Sequence, residues 1–258
     1  MPRRYDVAGS RSRAYCDRMT GSANPVIAST DARLERVLDA AADLLVRWGY
    51  QRVTVEDVAR HAGIGKGTVY LHFRTKDALF LTVLLRSHHH VVARMADRMA
   101  AEPAEVLPSR MTASVYRDLA DDAVVRPLYL GDPEVLGRLA HEAAATLGEL
   151  GGKRDVASRR LFGLLRDAGA LRTDLAVEEQ EYVLRAVATG FMFVDSLPAP
   201  ELTVDRDRRA ALIAYSIAAA IEEPGAAARA GAVAPQAVAM FRELAADMDE
   251  EWRRRVRR

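Results

Sequence analysis

The stretch that decides the fold runs Thr54-Val-Glu-Asp-Val-Ala-Arg-His-Ala-Gly63-Ile-Gly-Lys-Gly-Thr-Val-Tyr-Leu-His-Phe73. Thr54 suits a helix N-cap, and Asp57, three residues on, suits the unpaired amides of the first turn. Val55, Val58, Ala59 and Ala62 make a narrow apolar face that lets a second helix approach closely. Gly63 supplies the left-handed residue that stops the helix, and Ile64 plugs the turn into the core. A second short helix opens at Gly65 or Lys66 with Val69 and Phe73 as its buried anchors. Lys66, Gly67, Thr68, Tyr70 and His72 then face outward. Two helices joined by a short glycine turn make a helix-turn-helix, the pattern whose second helix enters the major groove of DNA.

Charge around this segment agrees. The chain of 258 residues holds 37 Lys and Arg against 36 Asp and Glu, a formal net charge of +1, so affinity for a polyanion must come from local clustering. From Val58 through Lys76 no acidic residue occurs, whereas Arg60, Lys66, Arg74 and Lys76 are basic. Two of the three lysines of the chain, Lys66 and Lys76, lie in that stretch.

Working outward, the pattern is helical almost throughout and no run alternates as a strand would. Residues 31–48 form an apolar stripe of Leu34, Val37, Leu38, Ala41, Leu45 and Trp48, with Ser29 or Thr30 as cap and Gly49 as stop. A long helix is predicted over 76–100, capped by Thr75. Pro103 and Pro108 mark a boundary, and further helices are predicted at about 109–125, 133–147, 154–168, 177–196, 204–222 and 233–256. Residues 1–29 carry Arg3, Arg4, Arg11, Arg13 and Arg18 without a hydrophobic period and read as a mobile basic arm. Trp252 to Arg258 reads as a basic tail, either a solvated helix end or an added nonspecific contact to DNA.

The segment from the first helix through Lys76-Asp-Ala-Leu-Phe80 resembles the DNA-binding module of the TetR family of bacterial regulators. The match is dense over residues 31–80; beyond it, Gly169-Ala-Leu-Arg-Thr-Asp-Leu175 resembles the turn before the family's dimer-forming helix pair. The resemblance implies an all-α fold in two parts. A three-helix DNA-binding domain over 31–80 leads through a connecting helix, 81–100, to a larger helical ligand-binding and dimerisation domain over 101–250. It implies that Thr54, Lys66, Gly67, Thr68, Tyr70, His72 and Lys76 meet DNA, with Tyr70, His72 and Lys76 at phosphates. Gly65 and Gly67 leave little side chain for reading bases, so binding should lean on phosphates and DNA shape. The resemblance also implies a homodimer through helices 177–196 and 204–222 and a near-palindromic operator.

A repressor released by a small molecule is therefore expected, the alternative being a DNA-binding regulator without an effector. Candidate ligand-lining residues are Met95, Tyr116, Tyr129, His141, Phe162, Phe191 and Met192, for an effector whose identity the residues do not specify. No cofactor is expected. The Gly63-Ile-Gly-Lys-Gly-Thr run lacks the spacing of a phosphate-binding loop and follows a helix rather than a strand. No metal is expected either, because His88, His89 and His90 point about 100 degrees apart on a helix. No nucleophile elbow or paired Cys and His supports an enzyme. Cys16 is the lone cysteine, and no apolar run reaches the ~20 residues of a membrane span, which suits a soluble cytoplasmic protein.

Overall fold

The computed structural model describes residues 25–121, 133–196 and 204–256, with side chains over 32–119, 149–195 and 204–256. The elements are α1 (Pro25–Arg52), α2 (Val55–Ala62), α3 (Lys66–His72), α4 (Lys76–Ala101), a 3-10 turn (Pro103–Val106) and α5 (Pro108–Asp121). There follow α6 (Pro133–Asp167), α7 (Val177–Ser196), α8 (Arg206–Ile221) and α9 (Ala226–Val256). The fold is all-α: among the described residues, strand character is limited to one bridge between Leu171 and Glu222.

α1 begins at Pro25, so Ser29 and Thr30 lie inside the helix rather than at its cap, and residues 25–29 are not part of an arm. Residues 1–24 fall outside the described residues. The stripe of Leu34, Val37, Leu38, Ala41 and Leu45 is buried as predicted, but Trp48 is 45% exposed. Gly49 is the cause: at φ 73 and ψ 159 it turns the chain so that Tyr50 enters the core instead. The Tyr50 ring meets Phe80 of α4 edge-on at 5.4 Å.

α4 is the axis of the molecule. Its first half, from Leu79 to Ser87, is buried without interruption, which a helix shows when neighbours cover it on every side. It packs against α1 on one side and, most extensively, along α9 on another. α5 packs on α8, and Glu222, just past α8, accepts hydrogen bonds from the Ser109 amide (2.8 Å) and hydroxyl (3.0 Å). That carboxylate satisfies a free donor in the first turn of α5.

Other predicted boundaries move as well. The helices expected at 133–147 and 154–168 are one helix, α6, because Gly151 and Gly152 weaken a helix without stopping it. Burial of Leu150, Ala157, Leu161 and Leu165 along one face carries it through. α9 starts seven residues before its predicted start and takes Pro235 in its interior, flanked by buried Val233, Ala234 and Ala237. Burial there outweighs the lost backbone hydrogen bond. The basic tail continues α9: Trp252 and Val256 are buried, and Arg253, Arg254 and Arg255 pair with Asp249, Glu250 and Glu251 within the same helix.

The Gly169–Leu175 turn is tightly held. Gly169 is left-handed (φ 68), the Arg172 amide donates to Ile221 O at 2.9 Å, and the fully buried Gln180 donates to Arg172 O at 2.7 Å.

Of the histidine run, His90 is exposed while His88 and His89 pack inward, and His89 Nδ1 lies 2.9 Å from Ala245 O on α9. Burial, with the Arg154 charge second, holds the His88 imidazole down to about 4. A depressed histidine stabilises the fold fully above its unfolded value of about 6.5 and progressively less as pH falls towards 4, where the unfolded chain takes a proton that the folded one refuses. Denaturant titrations should therefore lose up to about 3 kcal/mol between pH 6.5 and 4 from this group, and His88→Leu should flatten that slope.

Candidate DNA interface and regulatory core

The geometry of α2 and α3 follows from their caps. Thr54, extended at φ −113 and ψ 158, accepts from the Asp57 amide through its hydroxyl (3.1 Å), and Asp57 accepts from the Thr54 amide (3.1 Å). The Thr54 hydroxyl also donates to the Asp57 carboxylate at 2.6 Å, and these bonds hold that carboxyl below its ordinary value. At the far end Gly63 takes φ 68 and ψ 33, and Ile64 donates back to Ala59 O at 3.0 Å. α3 is anchored by Val69 and Phe73, both buried, so its opposite face looks to solvent. Gly67, Tyr70 and Leu71 are on that face, Leu71 being 79% exposed. Sequence reading passed over Leu71; its signal was the two-residue offset from Val69, which puts it on the far side of the helix.

The acid-free run of the sequence is not acid-free in space. Lys66 Nζ donates to Glu56 on α2 at 3.1 Å, which raises the lysine above its ordinary value. Arg60 pairs with Asp57. Lys76, expected at a phosphate, turns inward: its ammonium donates to Tyr50 O and sits 4.2 Å over the Tyr50 ring. Of the four cations, only Arg74 is exposed and without a protein partner among the described residues. Thr68 and His72 are half-buried on the flanks of α3.

The candidate regulatory residues divide. Met95 and Phe191 are half-buried against the hydrophobic core, and Tyr116, Phe162 and Met192 are within it. The Tyr116 hydroxyl donates to Asp195 of α7, which also accepts from Arg209 of α8 at 2.5 Å, so one carboxylate ties α5, α7 and α8 together. Tyr129 and the side chain of His141 lie outside the described residues. A separate cleft of about 60 Å³ between α6 and α9, lined by Glu149, Lys153, Asp247 and Arg254 among others, is polar and too small for an apolar effector. Among the described residues no group of three or more His, Cys, Asp or Glu is gathered as a metal site. No described helix is long and apolar enough to cross a membrane.

The family model for bacterial regulatory proteins of the tetR family matches residues 37–83, the span of the capped helix pair and its supports. The chain is 31% identical over 164 residues to the HTH-type transcriptional repressor KstR2 of Rhodococcus jostii (strain RHA1), covering 60% of this chain and 76% of that protein. The chain belongs to the tetR family.

It is a DNA-binding transcriptional regulator. A second repressor of the same organism, KstR, is 28% identical over 160 residues, 60% of this tetR-family chain and 68% of its own. The likeness extends to solved structures: SmeT, the repressor of a Stenotrophomonas maltophilia multidrug efflux pump, superposes in its complex with triclosan with a TM-score of 0.56. That pair is 25% identical over 76% of this chain and 94% of SmeT. The family consists of regulators.

Arg74→Ala should lower DNA affinity and reduce the slope of log K against log salt by about 0.9 for each protomer bound, one phosphate contact apiece. Glu56→Gln should act oppositely, freeing Lys66 and removing a negative charge, so affinity should rise at low salt. Fluorescence anisotropy over a salt series reads both; an unchanged slope for Arg74→Ala would remove that residue from the interface.

Proposed function

We propose that the protein is a homodimeric repressor that seats two copies of α3 on a near-palindromic operator and leaves it when a small molecule occupies the helical core. The observation that carries this reading is an apolar face of α7 and α8 that is exposed among the described residues. On α7, Tyr182 (74% exposed) shares one side with exposed Ala186 and Gly190. On α8, Ala211, Tyr215 (72%) and Ala219 line up at four-residue steps, whereas Ala210 is buried in its own protomer. A contiguous apolar face of this kind needs a partner, and a two-fold axis through it closes a four-helix bundle.

Each protomer then offers Thr54, Lys66, Gly67, Thr68, Tyr70 and His72 to the DNA, joined by Arg74. Lys76 acts mainly by bracing α4 against α1. The effector is an apolar or amphipathic molecule held among Met95, Tyr116, Phe162, Phe191 and Met192, which are buried or half-buried in the core; the SmeT–triclosan complex supports a small molecule as effector. Release works through α4. Arg86 joins it to Glu35 and Asp39 of α1, while Arg94 and Arg98 join it to Asp118 of α5. An effector that favours one tilt of α4 spoils the spacing of the two heads by its differential affinity for the two states. The site of action is the cytoplasm, with no cofactor required.

Tyr182→Asp combined with Tyr215→Asp should convert a dimer to a monomer by sedimentation and weaken operator binding by about 100-fold or more, since the second head no longer binds intramolecularly. A variant that stays dimeric sinks the assignment of the face. A thermal-shift screen of small molecules repeated on the operator complex tests gating. If no compound both stabilises the protein and releases DNA, the regulator works without an effector.

A further inference from the structure

The outward pole of α3 contains two features that the folded chain itself does not use. At about 100 degrees per residue, Gly67 and Leu71 project together on the side opposite buried Val69. Leu71, at 79% exposed, is the most exposed large hydrophobic side chain among the described residues. The apolar face on α7 and α8 belongs to other helices, and α3 packs chiefly on α2. A second copy docked on that face therefore leaves Leu71 bare.

Gly67 is equally unexplained from within. Its φ is not positive, and a Cβ built on it would meet nothing within 4 Å. A glycine in a helix costs stability relative to alanine, and here no turn, strain or internal contact offsets it. A missing side chain beside an exposed leucine, with an unpartnered Arg74 three residues on, fits a surface that a polyanion approaches closely.

We infer that the Gly67–Leu71 pole lies on the floor of the major groove, where Gly67 admits the helix backbone close to the base edges and Leu71 packs on the 5-methyl group of a thymine. Among the base-edge groups in that groove, the thymine methyl is the apolar one, so an aliphatic side chain there selects thymine. The inference rests on the operator-binding reading and specifies what that operator contains: a thymine at one position of each half-site, read by contact rather than by hydrogen bond.

The test uses the full-length protein and a duplex enriched from random sequence by that protein. Each thymine is replaced in turn by uracil, which removes only the methyl. Wild type should lose about fourfold affinity per half-site at one thymine, the worth of one buried methyl group. Leu71→Ala should bind the thymine and uracil duplexes equally and near the wild-type affinity for uracil. Its exposed position predicts an unchanged melting temperature. Gly67→Ala should raise the melting temperature by about 1–2 °C while weakening binding.

Equal binding of every uracil duplex by wild type, or a uracil penalty that survives Leu71→Ala, overturns the thymine contact. Unchanged affinity of Gly67→Ala overturns the close approach. Failure of the wild-type protein to enrich any duplex would instead overturn operator binding itself.

Discussion

The Arg86 guanidinium is the contact on which the arrangement of the two halves depends. It is 6% exposed, and it donates to Glu35 at 2.6 Å and Asp39 at 2.7 Å, one turn apart on α1. A cation withdrawn from water costs several kcal/mol unless its partners stand where its planar fork points. Two carboxylates at i and i+4 meet that fork only at one register and crossing of α1 on α4. Apolar contacts, being non-directional, tolerate a slide more readily. The charge does not. The DNA-binding head is thus locked to the first three turns of α4 and turns with it.

The far half of α4 is held differently. Arg94 and Arg98 share Asp118 of α5, and Arg98 Nε also lies 3.8 Å from Glu105, though Arg98 Nη2 and Nε find no hydrogen-bond partner among the described residues. Nearby, Asp195 holds Tyr116 and Arg209 together across α5, α7 and α8. The core is therefore stitched by shared carboxylates, each serving more than one donor, so a shift of one helix is felt by two others. A stiff joint at the head and shared joints at the core make α4 a lever rather than a hinge. That is the mechanical requirement for an effector site to alter the spacing of two distant recognition helices.

Most of the fold was legible because it is written in caps and periods. Thr54, Asp57, Gly63 and Thr75 each have only one comfortable role at a helix end, and the structure puts all four there. The misplaced boundaries share one cause. Gly151, Gly152 and Pro235 are breakers by local propensity, but burial along α6 and α9 overrides them, and burial is a property of partners that a single segment does not display. Trp48 shows the converse, since Gly49 redirects the chain and the periodic pattern cannot anticipate it. The candidate site was legible as a motif but not as electrostatics. Counting acids along 58–76 missed Glu56 and Asp57, one turn upstream on α2, which neutralise Lys66 and Arg60 through space.

That neutralisation bears on how such a switch can work. Counterion release gives each phosphate contact a fixed share of affinity regardless of sequence, so a head rich in free cations would cling to DNA after its spacing was spoiled. Here Arg60, Lys66 and Lys76 are already engaged, and the whole chain has a formal charge of only +1. In the proposed dimer one head alone is then a weak binder, and occupancy comes from two heads bound at once, where the second adds through effective concentration. A small change in spacing removes that gain entirely. Modest free charge on the recognition surface, where the sequence predicts a basic cluster, lets a differential ligand affinity of a few kcal/mol decide between bound and free.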